Sequence, residues 1–163
     1  MSRQISELED ILKQMIQEHL RLLSHMHRHG TAMQAFDLRT MDDSGREQEA
    51  SRMRIALLEQ RRRTIVQQIS RSLDLQGEPT LRKLAVLVPS QSESLLRLRA
   101  QLKDVFEQVA VRNKISGKVA AAVLGHLNTV VRLLAGAVER AGLYTKHGVP
   151  RVSSRIGAIE AIA

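Results

Sequence analysis

A chain of 163 residues, 43% of them hydrophobic, is long enough for one domain with a real core and too apolar for wholesale disorder. Aromatic residues make up 2% (Phe36, Phe106 and Tyr144), so a nucleic-acid reader that stacks bases on rings lacks its platforms, and with Cys at 0 there is no disulfide, thiolate metal site or thiol nucleophile. The formal charge of +8 admits an acidic partner, but Lys and Arg are mixed with Glu and Asp along most of the chain, the pattern of a solvated helix face.

The first periodic segment runs from about Ile5 to His29. Ile5, Leu8, Leu12, Met15, Leu22 and Met26 fall on alternating steps of three and four, and His19 fills the missing place, where a polar residue sets register or finds a hydrogen bond. Ile11, Ile16 and Leu23 widen the stripe, so this helix calls for more than one neighbour. The cluster His25, His27, Arg28 and His29 then reads as a cationic last turn and Gly30 as a stop, with Thr31 and Gln34 opening a short second piece.

Thr40 to Gly45 reads as a loop, and Ser44 with Glu47 as a capping box for a helix to about Leu73. Its apolar positions include Ala50, Met53, Leu57, Leu58, Ile65, Val66, Ile69 and Leu73, and the short connection predicts an antiparallel hairpin with the first helix. Gln76-Gly77-Glu78-Pro79 breaks the chain. Pro79 suits the first turn of a short helix, Thr80 to Val86, and Val88-Pro89 breaks it again. Ser90 with Glu93 opens a long helix that ends near Gly142. Leu95, Leu98, Leu102, Val105 and Val109 keep heptad steps. The pattern stumbles over Arg112 to Lys118 and resumes in a shifted phase with Val119, Val123, Leu127, Val130, Leu134 and Ala137, a slip that changes local winding without ending a helix. The expected fold class is all-α: an elongated antiparallel hairpin or bundle of two to three long helices with short connecting helices, over 1–143. A basic, flexible C-terminal tail, 144–163, carries Val152, Ile156, Ile159 and Ala163 at helical spacing.

Candidates for chemistry are few. His25 and His29 share a helix face at metal-chelating spacing, yet no Cys is available and no carboxylate lies in the same turn, so no metal is expected. Arg61-Arg62-Arg63 is the densest basic cluster, but three successive helical residues fan around the axis, and Glu59 is placed to pair with them. Gly-rich phosphate loops, HExxH and GxSxG are absent, so neither an enzyme nor a cofactor is expected. The first residues hold no apolar signal region, and no unbroken apolar run reaches the roughly 20 residues of a bilayer span, so a cytoplasmic protein without membrane insertion is the expectation.

The order of these pieces resembles the FlgN family of flagellar export chaperones, from roughly Ile5 to Ile162. The resemblance is carried by the hairpin, the break, the short helix ending at Leu87-Val88-Pro89, and the long helix. Within the last, it rests on Asn113, the apolar run Leu127 to Leu134, and Leu133-Leu134-Ala135-Gly136 ahead of Tyr144-Thr145-Lys146-His147-Gly148. It implies a protein of type III secretion that guards hook–filament junction (hook-associated) subunits before export, its C-terminal half capturing their C-terminal amphipathic helices. The capture surface so implied is Val123, Leu127, Val130, Leu134 and Val138, with Ile156 and Ile159 in the tail. Tyr144 matches the family's tyrosine that docks at the export gate or ATPase complex. The basic charge predicts an acidic cargo segment. Two other readings compete: a basic module for nucleic acid or an anionic surface, and a coiled-coil protein that self-assembles as a homo-oligomer through its seam.

Overall fold

The computed structural model describes residues 2–75 and 77–142, with side chains described over 3–75 and 77–137. Its elements are α1 (Ser2–Ala35), α2 (Leu38–Ser72), α3 (Leu81–Leu87), a 3₁₀ turn (Pro89–Gln91) and α4 (Ser92–Gly142), with no strand among the described residues. The all-α expectation holds. The chain divides into two compact units, Met1–Ala121 and Ala122–Ala163.

In the first unit α1 and α2 form the antiparallel hairpin. Gln4 meets Ser72, Glu18 meets Arg54 and Arg28 meets Glu47, so numbers fall on one helix as they rise on the other. The seam read from the sequence is the buried one: Ile5, Leu8, Leu12, Met15, Leu22 and Met26 are all enclosed, and His19 with them. Leu58, Ile65, Val66 and Ile69 of α2 face this stripe, Leu84 and Ala85 of α3 close one end, and Leu95, Leu98 and Leu102 of α4 complete the core. Apolar area removed from water, at about 25 cal/mol per Å², is what holds such helices together.

The hairpin turn lies elsewhere than predicted. Gly30 does not stop α1, the short piece from Thr31 is part of α1, and Thr40–Gly45 is helix, not loop. The histidine cluster is therefore mid-helix and no cationic end. The actual turn is Phe36-Asp37. Phe36 takes the left-handed conformation (φ 54°), the Asp37 N–H donates to the Ala32 carbonyl at 3.0 Å and the Phe36 N–H to Met33 at 3.3 Å, the double bond pattern of a Schellman cap. Asp37 then caps α2, its carboxylate accepting from the Thr40 N–H at 3.0 Å, which also holds its pKa below the usual Asp range. A non-glycine residue in the left-handed position hid the turn.

Gly30 has a packing role instead. A Cβ there would overlap the guanidinium of Arg112, which donates to the carbonyls of Met26 (3.4 Å) and His27 (3.3 Å). With Phe106 against His19 about two turns earlier, that contact sets α4 alongside and parallel to α1, the offsets being 86 and 87 residues.

Ser44 is not a cap. It is fully buried inside α2, its hydroxyl donating to the Thr40 carbonyl at 2.6 Å, and Ser51 is fully buried too. A satisfied hydroxyl on a small side chain lets the two helices approach closely without an unpaired polar group. This stretch of α2 thus packs through Ser44, Gln48 and Ser51, while Met53 (67% exposed) and Leu57 (52%), two of its apolar positions, point to solvent. At its other end α2 stops at Ser72 with a second left-handed residue, Asp74 (φ 50°), and the Leu75 N–H bonds Ser70 at 2.9 Å. Thr80 caps α3, one residue later than predicted, and Pro89 opens the 3₁₀ turn that leads into α4 at Ser92, so Ser90 is not the cap.

Candidate helix-binding surface

Beyond Ala121 the second unit is described as the remaining length of α4. Six large aliphatic side chains stand exposed on it: Leu124, Leu127, Val130, Val131, Leu133 and Leu134, at 47 to 64%. Val123 is half-buried. At about 100° per residue, Val123, Leu124, Leu127, Val130, Val131 and Leu134 share a stripe about 120° wide, as broad as the face a helix normally buries in a bundle. Arg132, Gly125 and Thr129 fall opposite, exposed Leu133 lies beside Thr129 and Asn128 borders the stripe, with the Thr129 hydroxyl bonded to the Gly125 carbonyl at 3.0 Å.

Four of the residues named from the sequence, Val123, Leu127, Val130 and Leu134, thus lie on one face. The Val138 side chain and all of Tyr144, Ile156 and Ile159 lie outside the described residues. Leu124 and Val131 belong to the stripe and were missed. A single heptad seam was traced, whereas these two, seven apart, form its second row. Helix α4 runs unbroken through Gly117 and Gly125, and a Cβ at either would meet nothing within 4 Å. The phase slip therefore leaves the helix intact, and neither glycine serves a close approach in the structure.

Part of α4 is also, among the described residues, the one helix long and apolar enough to cross a membrane by length and composition. No apolar run of that length in α4 is unbroken; the mean hydropathy of an 18-residue stretch reaches the level of a span because an average tolerates interruptions. His126, Asn128 and Arg132 are those interruptions, and an Arg at mid-membrane costs about 2.5–3.5 kcal/mol on insertion scales. A broad apolar stripe with Arg132 and Thr129 on the opposite side suits a protein neighbour better than lipid on all sides.

The other sequence candidates have local partners. Glu47 receives both His25 (3.1 Å) and Arg28 (2.9 Å), His29 Nδ1 donates to the Met41 carbonyl at 3.1 Å, and no group of three or more potential metal ligands is found among the described residues. His19 Nδ1 donates to the Met15 carbonyl at 2.7 Å, and its ring rests on Phe106, centroids 4.7 Å apart. Of the arginine cluster, Arg62 and Arg63 both clasp Glu59, at 2.7 and 3.0 Å. The Arg62 hydrogen bond is the largest influence on Glu59, and with Arg63 it outweighs burial and lowers the carboxyl to about 2.

A helical hairpin core and a long helix with an exposed amphipathic face define an all-helical protein with a surface of the kind on which partner helices dock. The chain belongs to the FlgN family: the family model described as FlgN protein matches residues 1–151. That is a family of flagellar export chaperones, and its role is flagellum biogenesis and protein export. No curated protein and no solved structure matches the chain.

Proposed function

We propose that this protein is a cytosolic chaperone that captures the C-terminal amphipathic helices of hook-associated flagellar subunits on the apolar stripe of α4. The observation that carries this reading is the stripe of exposed aliphatic residues Leu124, Leu127, Val130, Val131 and Leu134, with Arg132 and Thr129 on the opposite side of the helix. An apolar patch of this kind on a soluble chain marks an interaction site, and a subunit helix with its own exposed stripe is an assembly hazard until covered. Laying one stripe on the other buries both and keeps the cargo unassembled. Val138, Ile156 and Ile159 extend the capture surface in this proposal, and Tyr144 docks the loaded complex at the export gate. Membership in the FlgN family supports the reading.

The test is calorimetry with purified hook-associated subunits and the double variant Leu127→Glu/Val130→Glu. The variant is expected to keep its helical circular dichroism and lose at least a hundredfold in affinity. Undiminished binding overturns the assignment of the stripe. Tyr144→Ala is expected to bind cargo normally and fail to bring it to the export gate.

A further inference from the structure

The first unit carries a separate groove. It has a volume of about 710 Å³, lies over α1 and between α2 and α4, and its lining is mostly apolar. Leu12 and Met15 form the floor, Ile55 one wall, and Leu102 with Phe106 the other. Phe106 is 44% exposed although its ring is seated on buried His19. On α4 the lining runs from Arg99 to Ala110, about 16 Å or three helical turns at 1.5 Å per residue. Helices α1, α2 and α4 enclose the trough, Leu81 of α3 also lines it, and its length along α4 matches about three turns of a further helix laid into it.

The rim identifies the occupant. Arg62, Arg99 and Lys103 stand against Glu59 and Glu107. Glu59 is held by Arg62 and Arg63; Glu107 meets Lys103 at 3.5 Å in a pair whose two side chains are both about two-thirds exposed, weak enough for a ligand carboxylate to take its place, and Arg99 has no ion pair among the described residues. Arg99 and Lys103 are four residues apart, so they stand one above the other along the groove. A matching ligand presents carboxylates at the same step along one flank of an apolar stripe.

We infer that this groove is a second helix-binding site, taking about three turns of an amphipathic protein helix whose flank carries Asp or Glu at i and i+4. Phe106 is its aromatic anchor, and Arg99 and Lys103 select the acidic flank. The site is independent of the α4 stripe, so either assignment can fail without the other.

Fluorescence anisotropy with the full chain tests it, using a labelled 14-residue peptide with a leucine stripe and Glu at i and i+4 on one flank, and its twin with Lys at those places. The Glu peptide is expected to bind at least tenfold tighter than the Lys twin, and Arg99→Glu/Lys103→Glu to reverse that order. Phe106→Ala is expected to weaken both about tenfold, and Leu127→Glu/Val130→Glu to change neither. A photo-crosslinker on the leucine stripe is expected to label the segment around Leu102 and Phe106. Equal affinity for the twins, or labelling around Leu127, overturns the proposal. So does a dimer in sedimentation that Arg99→Glu/Lys103→Glu dissociates, which assigns the groove to a second copy. A rise in peptide affinity on removing 143–163 assigns it to the chain's own C-terminal segment and overturns it equally.

Discussion

Glu18 on α1 and Arg54 on α2 meet at 2.7 Å across the hairpin, with the carboxylate almost fully enclosed and the guanidinium half in water. Burial pushes the Glu18 pKa up, but hydrogen bonds from Arg54 and Ser51, the Arg54 charge and the Arg21 bond together bring it below the usual Glu range. A carboxylate buried at one position on α1 has its partners at one position on α2, so the pair penalises a slide of either helix by a turn. Arg54→Ala is expected to cost about 2 kcal/mol, because a buried acceptor loses its main charged donor. Arg21, 65% exposed and also bonded to Glu18, is expected to cost about 0.5 kcal/mol or less as Arg21→Ala. Urea midpoints of the two variants measure the contrast, and equal losses would remove Arg54 from any role in register.

The Glu59 clasp predicts a pH dependence with a definite sign. Its carboxyl titrates near 2 in the folded chain, against 4.5 ordinarily. A depressed carboxylate adds stability that is fully present above the ordinary value and is lost as pH falls toward the folded one. Wild type should therefore exceed Glu59→Gln in stability at pH 7. The gap should shrink from about pH 4.5 downward and close near pH 2. Denaturant titrations of the pair at pH 7, 4 and 2.5 check this, and a gap that widens on acidification contradicts the clasp.

Gly30 and Arg112 make a paired prediction. Gly30→Ala gains roughly 1 kcal/mol of helix propensity in α1 and displaces the guanidinium from the Met26 and His27 carbonyls. The expected result is a thermal midpoint changed little, with faster amide exchange in α4 around Arg112. Arg112→Ala is expected to show the same exchange without the gain. An unchanged exchange pattern in Gly30→Ala would mean the guanidinium finds an equivalent seat.

How much of this was legible in the sequence depends on which interaction fixed each feature. The α1 seam was readable because burial there is a matter of apolar residues at steps of three and four, and each named seam residue is enclosed. The partner face on α2 was not, because Ser44 and Ser51 are buried for their small size and satisfied hydroxyls, Ser44 bonded to the Thr40 carbonyl and Ser51 to Glu18 across the hairpin, while the larger Met53 and Leu57 face water. Turn chemistry misled for a related reason. Glycine was read as the mark of a helix end, yet both left-handed ends are made by Phe36 and Asp74, and Gly30 makes room for a side chain 82 positions on. At the candidate site four residues were found by heptad tracing, but Leu124 and Val131 required the whole helical face. The groove in the first unit had no sequence signal, since its lining comes from four helices.

Asp74 offers a direct check of the second left-handed end. A Cβ in that conformation costs about 1–2 kcal/mol, and glycine pays part of this back in unfolded-chain entropy. Asp74→Gly is expected to stabilise by up to about 1 kcal/mol, whereas Asp74→Val should destabilise. A thermal midpoint lowered by the glycine would mean the aspartate side chain does more for the cap than its backbone strain takes away.

The width of the α4 stripe leads to a face-by-face prediction. If cargo lies along a stripe about 120° wide, its second row carries energy as well as its first. Leu124→Glu and Val131→Glu are each expected to cut cargo affinity at least tenfold, as Leu127→Glu does. Thr129→Glu, on the opposite side, is expected to leave it within twofold. Affinity should also fall only modestly between 50 and 200 mM salt, because burial of apolar surface drives the contact; a phosphate-binding face making 6–10 contacts would lose about 10³–10⁵ over that range. A steep salt dependence, or equal losses from both sides of the helix, would show that charge and not the stripe holds the partner.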